Sequence, residues 1–242
     1  NITPDHLDRY DGFADYAAAK ERLFTMQHVD KVAVIATEDD RTKMIASRIN
    51  HRLMRVSSKQ VGDQSRWPSL QGPHNAQNVA AARAVAEVLG IKASTIEEAL
   101  HTYPGLPHRM ERVRELGGVV YVNDSKATNP TSTAPALAAF PAIHWILGGR
   151  AKTSELDACV PYFGHVRAAY TIGESAGMFA SLLKGSMPVS ECGSLDIAVR
   201  AASKAAVAGE TVLLSPACAS FDQFTDFEAR GDAFRVAVEA LA

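Results

Sequence analysis

The sequence has little cysteine: Cys159, Cys192 and Cys218 are the only three among 242 residues, and none forms a C-x-x-C pair. This scarcity argues against a disulfide framework and against a zinc cluster, and it suits a reducing cytoplasm. The sequence also lacks an apolar run long enough to cross a bilayer, and it shows no signal-peptide pattern. We therefore expect a cytoplasmic location without membrane insertion.

Neither sign of charge is in marked excess. The 25 Lys and Arg residues and the 27 Asp and Glu residues give a formal net charge of −2. A balance of this kind argues against a nucleic-acid or membrane-surface partner. The hydrophobic content is 47%, enough for a packed core, and the length allows one large domain or two modest ones.

A change of pattern near Gly105-Leu106-Pro107 predicts a boundary between two domains, 1–105 and 106–242. In the first, hydrophobic periodicity predicts helices at 15–28 and 75–89, a third helix that begins with a capping box of Ser94 and Glu97, and a buried strand at 31–36. In the second, strands are predicted at 119–122, 143–147, 166–172 and 211–214. Helices are predicted between and after them, at 132–140, 176–183, 194–208 and 232–241. This alternation predicts an α/β fold whose mostly parallel sheet is covered by helices on both faces.

The segment 123–130, Asn-Asp-Ser-Lys-Ala-Thr-Asn-Pro, is the strongest candidate for a site. It follows a predicted strand and runs into a predicted helix, and this is the position at which α/β proteins bind ligands. A helix start offers free N–H groups to an anion. The carboxylate of Asp124, the ammonium of Lys126 and the hydroxyls of Ser125 and Thr128 suit a phosphate, a carboxylate or a metal–nucleotide. For any single residue, a helix N-cap with solvated neighbours is the simpler interpretation.

Two other loops resemble known motifs incompletely. The segment 148–153, Gly-Gly-Arg-Ala-Lys-Thr, departs from the Walker A pattern, which requires Gly where Ala151 stands. Lys152 is then either an anion ligand or a surface lysine. The segment 173–177, Gly-Glu-Ser-Ala-Gly, matches the nucleophile elbow of serine hydrolases. A hydrolase of that type needs a His after Ser175, however, and His165 is the last in the chain, so a tight turn explains Ser175 better.

Several strings, taken together and in order, resemble the Mur ligases, and among them the D-glutamate-adding ligases. These strings are 1–10, 74–75, 106–111 (Leu-Pro-His-Arg-Met-Glu), 123–129, the Gly-Gly-x-x-Lys of 148–152, and 214–224 (Leu-Ser-Pro-Ala-Cys-Ala-Ser-Phe-Asp-Gln-Phe). The resemblance covers essentially the whole chain. It implies an incomplete central ATPase domain, in which the P-loop half is absent, followed by a Rossmann-like C-terminal domain. We therefore expect the chain to begin after a truncation.

The resemblance implies an ATP- and Mg²⁺-dependent amide ligase of peptidoglycan synthesis. ATP would phosphorylate the carboxylate of UDP-N-acetylmuramoyl-L-alanine, and the amine of D-glutamate would attack the acyl phosphate. The small-molecule substrates would be the only partners, and a monomer is expected. The chain alone would be inactive for want of the P-loop, so a non-catalytic binding module remains an alternative, as does the serine hydrolase.

Roles for individual residues follow from the same resemblance. His6 matches a Mg²⁺-associated histidine and Lys20 a lysine that becomes a metal ligand as a carbamate. From the sequence alone, His6 would be a capping or core residue and Lys20 an exposed helix lysine. Asn75 matches an adenine or ribose contact, for which the alternative is a helix N-cap.

The remaining matched residues fall in the second domain. Arg109 matches a phosphate contact and Asp124 a ribose contact, while Lys126 matches a phosphate-side lysine with a catalytic role. A D-glutamate pocket is implied by five further matches: Thr128, Lys152, Ser220, Phe221 and Phe227. The Lys152 ammonium and the Thr128 and Ser220 hydroxyls would hold the carboxylates. Phe227 is equally compatible with a place in the core.

Overall fold

The computed structural model describes residues 2–3 and 9–242, which form two compact units that divide between Tyr103 and Pro104. In the first unit the elements are α1 (Phe13–Thr25), β1 (Ala33–Ala36), α2 (Asp40–Arg48), β2 (Leu53–Val56), α3 (Pro73–Val88) and α4 (Ala93–Thr102). Strands β1 and β2 pair in parallel, with Ala33 opposite Leu53 and Ala36 opposite Val56. The apolar side of α3 packs on this pair through Ala80 and Ala84.

The sequence located most of these elements but misread one helix start. The proposed capping box of Ser94 and Glu97 is wrong, because α4 starts at Ala93 after Lys92, and no side chain caps it. Glu97 instead forms ion pairs with Arg83 and Arg66, the latter at 3.1 Å. Helix α2 and strand β2 were not predicted. Helix α2 is short and polar, and its start is marked by Asp39, whose Oδ1 accepts a hydrogen bond from Thr42 N at 2.8 Å.

The second unit contains a six-stranded sheet in the order β3-β4-β8-β5-β6-β7. The strands are β3 (Glu111–Leu116), β4 (Val119–Asn123), β5 (Ile143–Gly148), β6 (Val166–Ile172), β7 (Val189–Gly193) and β8 (Thr211–Leu214). The helices are α5 (Pro130–Ala138), α6 (Ala176–Leu183), α7 (Leu195–Ala205) and α8 (Phe227–Glu239). All strand pairs are parallel except β3–β4. The prediction of an α/β fold with a mostly parallel sheet is confirmed.

Helices cover both faces of this sheet, as the alternation predicts. On one face, Trp145 and Leu213 pack in a core with Leu137 of α5 and Phe179 of α6. On the other, the neighbouring strand residues Ile146 and Val212 pack with Val199 of α7 and Phe234 of α8. Successive residues of β5 and β8 thus point to opposite cores, so the strand sequences are apolar throughout.

Three features of this unit differ from the sequence prediction. Helix α8 begins at Phe227 and not at 232, because Asp226 caps it by accepting a hydrogen bond from Ala229 N at 2.6 Å. Strand β7 was not predicted, and neither was β3, whose Glu-Arg-Val-Arg-Glu-Leu sequence is strongly charged. Because β3 runs antiparallel, its first residue, Glu111, pairs with Asn123 at the carboxyl end of β4. Over the described part of the chain, no helix is both long and apolar enough to span a membrane.

Candidate active site

Loops from four neighbouring parallel strands meet at the carboxyl edge of the second unit's sheet. They are the segments 123–129, 148–152, 173–177 and 215–222, which we call the four-loop site. Backbone hydrogen bonds join them in sequence: Asp124 N to Leu214 O at 2.7 Å, Gly148 N to Pro216 O at 2.9 Å, and Ser175 N to Gly149 O at 3.0 Å. A crevice at this edge is the common ligand site of open parallel sheets.

Asp124 lies at the centre of the first loop and is buried, with 5% of its surface exposed. Its Oδ1 accepts a hydrogen bond from Met110 N at 3.1 Å, and its Oδ2 accepts one from the Ser215 hydroxyl at 2.8 Å. Burial raises the pKa of Asp124 to about 7, against the opposing influence of these two hydrogen bonds and of the Arg109 charge. The carboxyl group therefore changes from its protonated to its ionised form near neutral pH.

Lys126 and Arg109 present two cations next to this carboxyl group. Both side chains are exposed. The Lys126 ammonium lies 3.7 Å from the centroid of the Phe227 ring, a cation–π contact, and the Lys126 backbone N–H donates to His108 O at 3.0 Å. The structure thus brings Arg109, Asp124, Lys126 and Phe227 together, and Phe227 lies at the loop face and not in the core.

The end of the 123–129 loop is the start of α5. Asn129 caps this helix, with its Oδ1 accepting from Ser132 N at 2.8 Å, and Pro130 occupies the first turn. Proline suits this position because the first helical N–H groups have no partner within the helix. Thr128 precedes the cap and is half-buried.

The 148–152 and 215–222 loops are joined as a short antiparallel bridge. Arg150 N donates to Ala219 O at 2.9 Å and Ala219 N donates to Arg150 O at 3.0 Å. Gly149 has φ +129°, and a Cβ on it would lie 2.3 Å from Ala219 O. Only glycine fits here, because the two backbones approach too closely for any side chain.

A second set of contacts holds the 173–177 loop against residues 220–223. Asp222 Oδ2 accepts a hydrogen bond from Glu174 N at 2.8 Å. Gln223 Nε2 donates to the backbone oxygen of Gly193, the last residue of β7, at 2.8 Å. Arg150 and Glu174 add an exposed ion pair at 3.2 Å. The loop that carries Ser220 is therefore fastened to the ends of β5, β6 and β7 together.

The residues predicted to hold D-glutamate lie around these junctions. Lys152 is exposed and follows the Arg150–Ala219 bridge by two residues, while Ser220 adjoins it and is 2% exposed. Phe221 projects to solvent with 63% of its surface exposed. The grouping of these residues into one pocket stays a prediction.

Arg230, which was not predicted as a site residue, lies on α8 beneath the loops and is 1% exposed. Its Nε donates to Ser125 Oγ and its Nη2 to Ser125 O, both at 2.9 Å. The Ser125 hydroxyl in turn donates to Phe227 O at 2.8 Å. The signal in the sequence was an arginine among the apolar residues that this helix turns to the core. Only the tertiary structure shows which loops the guanidinium contacts.

Two further predicted site residues, Lys20 and Asn75, belong to the first unit. Lys20 is an exposed residue of α1 with its ammonium 5.1 Å from the Tyr16 ring centroid. It lines a cavity of about 300 Å³ together with Thr42 and Gln77. Asn75 is the third residue of α3 and donates to Gln71 O at 3.0 Å. The alternative of an N-cap is wrong for Asn75, because Gly72 holds that position.

His6 lies outside the described residues. Among residues 2–3 and 9–242, no group of three or more His, Cys, Asp or Glu side chains is arranged to hold a metal ion. The ammonium of Lys20 is not a metal ligand in that form, because a ligand needs a free electron pair. The metal ligation implied for His6 and Lys20 therefore stays a prediction.

The nucleophile elbow is present as a strand–turn–helix between β6 and α6, but it lacks the partners of a hydrolase. Ser175 is 5% exposed, and the recorded partner of its hydroxyl is Cys218 Sγ at 3.5 Å. Burial raises the pKa of the Cys218 thiol to about 11, so this thiol is not a base that removes the Ser175 proton near neutral pH. Ser175 is better explained as part of the tight turn before α6.

Comparison with protein families gives two matches that together cover most of the chain. Residues 1–86 match the Mur ligase middle domain and residues 108–218 match the family described as Mur ligase, glutamate ligase domain. Curated relatives named UDP-N-acetylmuramoylalanine--D-glutamate ligase are 58% identical in Sphingopyxis alaskensis and 57% identical in Novosphingobium aromaticivorans. Both alignments include the whole chain, which spans 57% and 56% of the respective relatives.

Solved structures share the fold at much lower identity. The Acinetobacter baumannii UDP-N-acetylmuramoylalanyl-D-glutamyl-2,6-diaminopimelate--D-alanyl-D-alanyl ligase matches with a TM-score of 0.67 at 16% identity, over 99% of this chain and 57% of its own. The Thermotoga maritima UDP-N-acetylmuramate-alanine ligase matches with a TM-score of 0.66 at 14% identity, over 99% and 58%. These similarities support the fold alone.

Proposed function

Because the chain belongs to the Mur ligase family, we propose that it is part of an ATP-dependent ligase that adds D-glutamate to UDP-N-acetylmuramoyl-L-alanine in peptidoglycan synthesis. The observation that carries this proposal is the 58% identity, over the whole chain, to a relative named for that activity. In the same proposal, residues 1–105 belong to the central ATP-binding domain and residues 106–242 form the ligase domain. The four-loop site supplies residues that suit the chemistry.

The reaction brings several anions to one place. The γ-phosphoryl group of ATP passes to the carboxylate of UDP-N-acetylmuramoyl-L-alanine. The amine of D-glutamate then attacks the acyl carbon, and phosphate leaves. Positioning and neutralisation of charge are the main demands on the protein in phosphoryl transfer. Exposed cations at the carboxyl edge of the sheet meet this demand: Arg109 and Lys126 next to the nucleotide, and Lys152 next to D-glutamate.

We assign Lys126 to the phosphates and Asp124 to the ribose. The contact of the Lys126 ammonium with the Phe227 ring restrains the side chain while leaving its N–H groups free to donate to phosphate oxygens. The Asp124 carboxylate uses one oxygen for Met110 N and the other for Ser215, and each oxygen keeps a lone pair for a ribose hydroxyl. Asn75 would contact the adenine or ribose.

The D-glutamate pocket of this proposal is formed by Thr128, Lys152, Ser220, Phe221 and Phe227. Hydroxyls and an ammonium are suitable donors for two carboxylates, because hydrogen bonds to ionised groups are stronger than neutral ones. The loop that carries Ser220 is held by the bridge to Arg150 and by the hydrogen bond from Glu174 N to Asp222, which supports this assignment. The exposed ring of Phe221 would lie against the substrate.

Mg²⁺ belongs to the proposal as the companion of ATP. When bound, it would neutralise phosphate charge. His6 and a carbamylated Lys20 are the ligands that the family resemblance implies; the described residues contain no cluster of three or more His, Cys, Asp or Glu side chains that could hold the ion. A monomer located in the cytoplasm completes the proposal.

The decisive experiment measures ligation by the complete gene product. Phosphate release is followed with ATP, UDP-N-acetylmuramoyl-L-alanine and each of a set of amino acids. The proposal expects release that depends on both substrates and a kcat/KM for D-glutamate far above that for L-glutamate or D-alanine. Equal use of another amino acid would disprove the assigned substrate, and a lack of phosphate release with every amino acid would disprove the ligase.

A further inference from the structure

The strongest unexplained feature of the second unit is the guanidinium of Arg230. It is 1% exposed, and burial lowers its pKa to about 10. Within the described residues, no carboxylate lies within ion-pair distance, and Nη1 has no hydrogen-bond partner. A buried cation without a paired anion is costly, so a functional reason for it is to be expected.

The position of this guanidinium is central to the four-loop site. Through Nε and Nη2 it holds the side chain and the backbone of Ser125 in the 123–129 loop. Its Nη1 lies beneath the 148–152 loop, where a Cβ on Gly149 would be 3.2 Å from it and 3.2 Å from Cys218 Cβ. The Asp222 carboxylate of the 215–222 loop exerts an electrostatic influence on it that opposes the effect of burial on its pKa. One side chain therefore touches or adjoins loops from three strands.

We propose that Arg230 is a positioning residue of the four-loop site, which fixes the three loops relative to one another and lends the crevice a positive potential from below. The electrostatic half of this inference rests on the proposed function. Several anions must gather at the carboxyl edge, and a cation in a low-dielectric interior acts over a longer range than one in water. Arg230 is covered by protein, so in this proposal it acts through the loops and through its charge.

The positioning half is tested on the 242-residue chain without any ligand. Arg230→Lys and Arg230→Met are compared with wild type by amide hydrogen exchange, with Arg200→Met as the matched control. Arg200 is an exposed arginine on α7 that pairs with Asp196 at 2.6 Å. Both Arg230 variants should raise exchange by about tenfold or more in all three loops together, while β5 stays protected. A rise confined to α8 or to a single loop would overturn the positioning role.

If Arg230→Met does not fold, Ser125→Ala takes its place. This change removes the hydroxyl that accepts from Nε and keeps the guanidinium in the protein. The proposal expects faster exchange in the 123–129 loop for this variant too. Unchanged exchange there would contradict the role assigned to the Arg230–Ser125 contact.

The electrostatic half is tested by kinetics of the complete gene product. Both variants lose the guanidinium hydrogen bonds to Ser125, but only Arg230→Met also loses the positive charge. We expect Arg230→Lys to retain a KM for D-glutamate at least about tenfold lower than that of Arg230→Met, a difference that added salt should reduce. Equal KM values in the two variants would refute the electrostatic contribution. A wild-type protein without ligase activity would refute the proposed function and with it this half, while the exchange experiment would still decide the positioning role.

Discussion

The Ser215 hydroxyl donates a hydrogen bond to Asp124 Oδ2 at 2.8 Å, and both residues are buried. This bond joins the ends of β4 and β8 within the four-loop site. It fixes the orientation of a carboxyl group whose pKa burial raises to about 7. Protonation of the Asp124 carboxyl group should therefore affect both the stability of the second unit and the charge of the four-loop site.

The pH dependence of stability should reflect Asp124. Its pKa of about 7 in the folded protein is above the ordinary value of 3.8, so the folded state holds a proton that the unfolded state has lost between these values. The contribution of Asp124 to stability is therefore fully present below about pH 4 and is lost as pH rises through about 7, by up to about 1.4 kcal/mol per pH unit.

Asp124→Asn should remove this slope from the free energy of unfolding of the second unit. The indole resonance of Trp145 can report this unit during denaturation, because its Nε1–H donates to Ser215 O at 2.8 Å. Asp196→Asn, an exposed control on α7, should leave the slope in place. Identical pH profiles for wild type and Asp124→Asn would disprove the assignment.

Lys152→Ala in the complete gene product should weaken the binding of D-glutamate far more than the binding of ATP. Lys152 follows two glycines at a strand's carboxyl end, and loss of one charge-assisted hydrogen bond costs about 1.5–3 kcal/mol, roughly ten- to two-hundredfold in kcat/KM. Lys152→Arg should rescue only partly, because a planar fork does not replace a compact ammonium. Kinetics with each substrate varied in turn test this, with Lys184→Ala, directly after the end of α6, as the control. An effect confined to ATP would remove Lys152 from the amino-acid pocket.

Gly149→Ala should destabilise the second unit by more than about 2 kcal/mol. The new methyl group would lie 2.3 Å from Ala219 O, and φ of +129° is a strained conformation for any other residue. Gly164→Ala is the matched control, because nothing lies within 4 Å of its Cβ position. Chemical denaturation followed at Trp145 compares the two. Equal losses in both variants would show that the close approach to Ala219 has no special cost.

Purified as it stands, the 242-residue chain should neither hydrolyse ATP nor ligate D-glutamate. Its printed sequence contains no G-x-x-x-x-G-K-[ST] segment, which in P-loop proteins supplies backbone N–H groups and a lysine to the phosphates. A phosphate-release assay on protein freed of longer species by chromatography measures this. Turnover under these conditions would mean that the phosphates are held in another way.

Ser175 should not react with a fluorophosphonate probe. Its hydroxyl is buried against the Cys218 thiol and has no histidine to activate it among the partners that the structure records. Mass spectrometry of the treated protein gives the result, with Ser175→Ala to identify the site of any label. Labelling that this substitution abolishes would restore the hydrolase as a candidate.

The carboxyl edge of the sheet could be predicted from the sequence because its signals are local. Alternation of apolar strands and helices set the direction of β4, β5, β6 and β8, and polar loops after them had to share one edge. The contacts made by Arg230 could not be predicted, because they depend on a helix 105 residues away from Ser125 in sequence. Strand β3 was missed because its alternating charges hide a strand at the edge of the sheet, where one side faces water.

The reversed direction of β3 has a consequence for how this unit tolerates change. Glu111 enters the sheet opposite Asn123, so residues 106–110 lie at the same edge as the four-loop site, and the turn at Gly117 lies at the other. The two edges of the sheet should therefore differ in how well they tolerate insertions. Insertions, fluorophores or affinity handles placed at the Gly117 turn are remote from the chemistry, whereas even one added residue between 106 and 110 would displace the backbone groups that bind Asp124 and Lys126.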